Sequence, residues 1–214
     1  LFPYTTLFRS EAEKLAVLKE HTGQSCALTM DHQQKVHICY STYDREVNPP
    51  ARLYHMWQDE QDQWQKKTIA VSDAGYAGMH LETDSQDEMY LAFRAAEEYI
   101  FYAPMKFMKT LNGEWTEPYM IEKKGYSDID MVLDDMDKPH VSYYAINKGI
   151  IYHYCQDPDA NLWSAPEIIE NNWGGGQLEG METSISLDDS GIPHISYVGN
   201  VDQDSRENIK HAWK

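Results

Sequence analysis

Basic residues are scarce in this chain: Lys and Arg total 18 against 35 Asp and Glu, for a formal net charge of −17. A field of that sign repels a phosphate backbone, so nucleic acid is not expected as a partner. Cysteine is nearly missing. Cys26, Cys39 and Cys155 form an odd set with no paired spacing, which gives neither a disulfide framework nor a zinc site. No apolar run approaches membrane-spanning length, and no long stretch keeps the i, i+3, i+4, i+7 pattern of a helix. Catalytic signatures are also lacking. There is no Gly-x-Ser-x-Gly and no Cys–His pair. Gly174-Gly175-Gly176 follows no strand-to-helix pattern and is no phosphate cradle. Asp157-Pro-Asp-Ala-Asn161 opens like a calcium loop, but Leu162 and Ile168 stand where that loop needs Gly and Glu. No cofactor and no metal are expected.

What the chain does hold is aromatic residues, 15 Tyr and 6 Trp, and a repeat. Four segments align without gaps: Asp31–Tyr40, Asp84–Phe93, Asp134–Tyr143 and Asp188–Tyr197. In each, an Asp is followed six residues later by His or Tyr and nine later by an aromatic. Those last aromatics fall at 40, 93, 143 and 197, in steps of 53, 50 and 54. Trp64, Trp115 and Trp163 keep nearly the same beat. Cys39, Ala92, Ser142 and Ser196 share one repeat position, so Cys39 reads as a small core residue.

Each period contains four short runs with strand character. In the third copy they are 129–133, 140–143, 150–154 and 163–169. Four antiparallel strands in about 50 residues is the signature of a propeller blade. A blade cannot bury both of its faces alone, and packing around an axis buries each against its neighbours. The predicted fold is therefore all-β: a β-propeller of about four four-stranded antiparallel blades, spanning about 24–70, 78–122, 127–170 and 181–214. Residues 11–18 read as the fourth strand of a preceding or closing blade. Leu1–Ser10, reverse-translated, spells a common short-read sequencing adapter, and is set aside as an artefact. The expectation is a fragment of a larger propeller whose native N-terminus is lost.

The run Asp188-Asp-Ser-Gly-Ile-Pro-His-Ile-Ser-Tyr197 and its copy at 134–143 resemble the repeat of bacterial propellers related to the sialidase-type (BNR, Asp-box) superfamily. The resemblance covers nearly all of 11–214. It implies the fold, and a range of functions that includes glycosidases, polysaccharide lyases, lectins and plain scaffolds. The strict Asp-box, Ser-x-Asp-x-Gly-x-Thr-Trp, has no copy here, which argues against a true sialidase.

Strand parity puts the first-to-second and third-to-fourth turns on one face. The second-to-third and fourth-to-first connections share the other. The latter vary in length, so a site is expected there, near the axis. Tyr76, Tyr126 and Trp173 recur on successive fourth-to-first connections, where rings could stack on sugars or simply pack between blades. His80 and Asp130 occupy equivalent positions on innermost strands, where the other copies carry Ala27 and Ser184; they could face the channel as a site or only as its lining. Arg45, Arg94 and Arg206 complete the candidate ligand-binding set. His37, His140 and His194 recur once per blade and read as structural.

The expected function is a non-catalytic ligand-binding or scaffold propeller, for carbohydrate or another extracellular ligand. One alternative is a carbohydrate-active enzyme, a sialidase-like hydrolase or a polysaccharide lyase with His80 or Tyr126 as base. Another is a protein-interaction propeller. The partner expected is a glycan or an extracellular protein, in an extracellular or periplasmic bacterial setting.

Overall fold

Alternating β-branched and aromatic residues, broken by Asp-led turns, build the sheets of the computed structural model. It describes residues 25–44, 46–73, 75–95, 103–145, 148–171, 182–199 and 208–214, apart from the side chains of 126–128, 199 and 208. The expected strand at 11–18 and the adapter-like segment lie outside the described residues. The first blade is a meander of β1 (Cys26–Met30), β2 (Val36–Tyr43), β3 (Ala51–Gln58) and β4 (Trp64–Ser72). The second comprises β5 (Tyr76–Thr83), β6 (Met89–Ala95), β7 (Ala103–Leu111) and the short β8 (Glu114–Trp115), and closes on the first half of β9 (Tyr119–Leu133). The second half of β9 opens the third blade, followed by β10 (Pro139–Ala145), β11 (Gly149–Asp157), β12 (Leu162–Trp163) and β13 (Glu167–Glu170). The fourth contains β14 (Thr183–Leu187), β15 (Pro193–Gly199) and β16 (Asn208–Trp213). All pairings are antiparallel, and no described residue is helical. Among the described residues, no helix is long and apolar enough to cross a membrane.

The blades stack face to face, as a propeller requires. Successive residues of a strand point to opposite faces, and here each face meets a different neighbour. Leu91 and Phe93 of β6 pack with Cys39 and Leu53 of the first blade. Tyr90 and Ala92 of the same strand pack with Val141 and Tyr143 of the third. Tyr144 and Tyr152 then meet Ile195 and Tyr197 of the fourth. The repeat aromatics at 40, 93, 143 and 197 are at most 7% exposed. Each fully buried side chain of this kind contributes about 1.5–3 kcal/mol relative to leaving it exposed. The small residue beside the aromatic lets neighbouring sheets approach, which is why Cys39 stays free and buried.

The innermost strands lie side by side: β1 beside β5, β5 beside β9 and β9 beside β14. Hydrogen bonds cross between them. The Met79 amide donates to Ser25 Oγ at 3.0 Å, and Thr83 Oγ1 to Thr29 Oγ1 at 3.1 Å. One feature is not foreseen from the repeat. The second and third blades are joined into one nine-stranded sheet because β9 runs unbroken from the outer edge of one to the inner edge of the next. Gly125 pairs with both Ala103 and Ala145 at the changeover. A Cβ there would lie 2.6 Å from the Met105 side chain, so any larger residue would have to displace Met105.

Candidate functional site

The pairing registers fix the axial positions. Ala27, His80, Asp130 and Ser184 lie opposite Cys39, Ala92, Ser142 and Ser196, at the same place in each blade. Three of the four meet in space. His80 Nδ1 lies 2.5 Å from Asp130 Oδ1, and His80 Nε2 lies 2.9 Å from Glu82 Oε1. Ser184 Oγ and the Ile185 amide both donate to Asp130 Oδ2 at 2.8 Å, and the Met131 amide donates to Oδ1 at 3.0 Å. A charged line thus runs from the second blade through the third to the fourth.

The electrostatics follow from that arrangement. Burial works against a charged imidazole, but bonds to Asp130 and Glu82 outweigh it and push the His80 pKa up to about 9. Burial likewise opposes the Asp130 carboxylate. The bonds from His80, the Ile185 amide and the Ser184 hydroxyl outweigh it and hold the carboxyl below its ordinary value. At neutral pH the cluster is one cation between two anions, partly open to solvent, with side-chain exposures of 29%, 18% and 35% for His80, Asp130 and Glu82.

A second feature lies between the first two blades. A cleft of about 550 Å³ is lined by Thr68 and Ser72 of β4, Tyr76 of β5, Phe93 of β6, Lys106 of β7 and Glu117. Its size falls in the range of small-ligand sites, and it combines two rings with hydroxyl, ammonium and carboxylate groups. Tyr76 is 4% exposed, its ring edge-on to Phe93 at 5.8 Å, and burial raises its phenol pKa. The Tyr76 carbonyl accepts Ser41 Oγ at 3.1 Å, which ties the first blade to the second.

Of the other expected site residues, the structure describes Arg94 and the backbone of Tyr126. Arg94 is half-buried on β6, opposite Ala77 and Met105. Tyr126 falls within β9, and its side chain is not described. Arg45, Trp173 and Arg206 lie outside the described residues. Glu82, Lys106 and Glu117 are the members that motif reading passes over, and Ser184 enters it only as a repeat position. Glu82 was reachable, because residues two apart on a strand share a face. Among the described residues, no group of three or more His, Cys, Asp or Glu is placed to hold a metal ion.

The per-blade histidines have their own partners. His37, His140 and His194 each lie 3.4–3.5 Å from the Asp that opens their turn. On the other ring nitrogen, His37 meets His55 and His194 meets His211, both at 3.0 Å, while His140 meets Tyr152 Oη at 2.7 Å.

No family model and no curated protein matches the chain. Solved structures do. The chain is similar to a protein of unknown function from Dyadobacter fermentans, with a TM-score of 0.66 at 14% identity over 87% of this chain and 51% of that one. It is similar to a PL25 polysaccharide lyase, an ulvan lyase bound to -[GlcA(1-4)Rha3S]-, with a TM-score of 0.60 at 14% identity over 96% and 58%. It is also similar to an α-L-arabinofuranosidase from Fusarium graminearum in complex with an iminosugar inhibitor, with a TM-score of 0.58 at 11% identity over 87% and 56%. The chain therefore spans 51–58% of the length of these three. At such identities the likeness is one of fold.

Proposed function

We propose that this chain is a non-catalytic carbohydrate-binding propeller whose ligand sits in the cleft between the first two blades. The observation that carries the non-catalytic part is the saturation of the axial cluster. Both nitrogens of His80 face carboxylates, and both oxygens of Asp130 accept two contacts. All of these contacts are made within the chain, which fits a tie between blades. Here those groups tie three blades together. The carbohydrate part is supported by the lining of the cleft, where Thr68, Ser72, Lys106 and Glu117 offer hydroxyl, ammonium and carboxylate groups to sugar hydroxyls over a floor of buried rings. It is supported also by the similar folds that act on or bind sugars. The net charge of −17 favours an uncharged glycan over a uronate.

The test is calorimetry with neutral polysaccharides such as arabinan and galactan and with an anionic one such as polygalacturonate. Saturable binding of a neutral polymer is expected, weakened about tenfold (~1.4 kcal/mol) by Glu117→Ala. Glu117 is exposed, so this variant keeps its fold. No binding of any polymer to the folded chain refutes the reading.

A second reading, a carbohydrate-active enzyme, draws on the same similar folds. A lyase of this kind would use His80 or Tyr126 as base, and the two carboxylates beside His80 favour its protonated form at neutral pH. Release of unsaturated or reducing ends that stops in Asp130→Asn would favour it.

A further inference from the structure

One hydrogen-bonded chain crosses the joint between the first and second blades. Trp115, on β8 of the second blade, donates its indole N–H to His55 Nδ1 at 3.3 Å. His55 Nε2 meets His37 Nδ1 at 3.0 Å, and His37 Nε2 lies 3.5 Å from Asp31 Oδ2. The two imidazoles are nearly parallel, with centroids 5.2 Å apart, and the indole stands edge-on to His55 at 5.6 Å. The next joint is built differently. There Trp163 stands edge-on to Phe107, and among the described residues its Nε1 has no hydrogen-bond partner.

The indole sets the direction of the whole chain, because it can only donate. His55 Nδ1 must accept, so the His55 proton lies on Nε2 and is given to His37 Nδ1. The His37 proton then lies on Nε2, towards the Asp31 carboxylate. Each of the three junctions holds one proton, and a further one sets two donors face to face. The surrounding charges decide where it goes. Asp31, and Asp87 of the second blade, favour a cation on His37. Burial, His37 and Lys67 oppose one on His55. The other charges nearby are paired: His32 with Asp87, the Lys35 ammonium with Asp62, and Lys67 with Glu114. A doubly protonated His37 therefore donates to both Asp31 and His55. His55 stays neutral by passing its Nε2 proton to His37 and taking the incoming proton on Nδ1, where it confronts the Trp115 N–H.

Trp115 also anchors a wall of the cleft described above. The Thr116 amide donates to the Lys109 carbonyl at 2.8 Å, and the next two residues, Glu117 and Pro118, line the cleft. We propose that Asp31, His37, His55 and Trp115 form a proton relay that releases the Trp115 indole in acid and so loosens the Glu117–Pro118 wall. Its effect on ligand affinity rests on the cleft being the glycan site; the relay and the wall do not.

The ring nitrogens of His37 and His55 and the indole protons are followed by NMR in the full chain from about pH 7.5 to 5. Amide exchange reports on Glu117, and arabinan binding is measured at both ends. Expected at the upper end is a proton on Nε2 of both imidazoles. Towards pH 5, His37 becomes an imidazolium and His55 changes to its neutral Nδ1–H form. Over the same range the Trp115 indole proton and the Glu117 amide lose protection, while the Trp163 indole does not move. Arabinan affinity falls about fivefold, the worth of one hydrogen bond. Trp115→Phe keeps a ring and removes the donor. In it His55 shows both tautomers at the upper end, and arabinan affinity is low and equal at both ends. A Trp115 indole still protected at pH 5, or a His55 that keeps its Nε2–H throughout, overturns the relay. Glu117 exchange indifferent to the indole, or an affinity loss in acid that persists in Trp115→Phe, overturns its hold on the cleft. If indole and Glu117 respond together but arabinan binds at neither end, the glycan reading fails and the relay stands.

Discussion

At the residue scale the molecule is governed by a few charges placed where blades meet. His80 has a folded pKa of about 9 against an ordinary 6.5. Its pairing therefore contributes stability fully below about pH 6.5, and that contribution is lost as pH rises through about 9. His55 runs the other way. Burial first, then His37 and Lys67, lower its pKa to about 3, so its contribution is present above about pH 6.5 and is lost as pH falls from there towards 3. Thermal midpoints measured from pH 5 to 9.5 should thus peak near pH 6.5. The decline on the alkaline side should flatten in His80→Gln. An alkaline limb unchanged in that variant would remove His80 as its cause. The position of His80 and Asp130 is legible in the sequence, because an ungapped repeat assigns them the same place on successive inner strands. Their contact is not. Alignment gives position along a strand, whereas the 2.5 Å approach depends on how far a side chain reaches sideways into the next blade.

At the element scale the first-to-second turn is the unit that repeats most faithfully, and its sequence states its own chemistry. Asp84, Asp134 and Asp188 each accept backbone N–H groups two and four residues on, at 2.8–2.9 Å. The fourth turn position is left-handed in all four copies, with φ of 64°, 64°, 59° and 74° at Gln34, Asp87, Asp137 and Gly191. Where that position is Asp, it does a second job that the turn pattern conceals. Asp87 accepts from the His32 amide at 2.8 Å and Asp137 from the Ser85 amide at 3.1 Å, each in the preceding blade. In urea titrations Asp134→Ala should cost about 1–3 kcal/mol, because two amides lose their acceptor. Asp137→Gly keeps the left-handed turn and loses the two bonds from Ser85, its amide and its hydroxyl, so about 0.5–1.5 kcal/mol per bond is expected. Asp137→Val adds strain at a positive φ and should cost more than Asp137→Gly. Equal losses for the two Asp137 variants would mean that backbone conformation plays no part. The unbroken β9 is the element hidden from sequence reading. Nothing in Lys124-Gly125 announces that one strand serves two blades, and Met105, the neighbour that crowds position 125, lies twenty residues away in the chain.

At the scale of the whole molecule, the fifty-residue beat is what the sequence displays best. The same beat brings residues one period apart into contact: His80 with Asp130, Asp130 with Ser184, and Ser85 with Asp137. The clefts between blades are less legible, because each is the difference between two surfaces set by many side chains. Thr68, Lys106 and Glu117 carry no motif that would mark them as neighbours of Tyr76. At the axis one blade's carboxylate locks the preceding blade's imidazole, a contact that joins the second and third blades. It is tested most directly by following the His80 ring nitrogens by NMR against pH, in the intact chain and in Asp130→Asn. A midpoint near 9 that drops towards 6.5 in the variant is predicted. A midpoint near 6.5 that Asp130→Asn leaves unmoved would contradict it, because His80 and Asp130 would then not be paired.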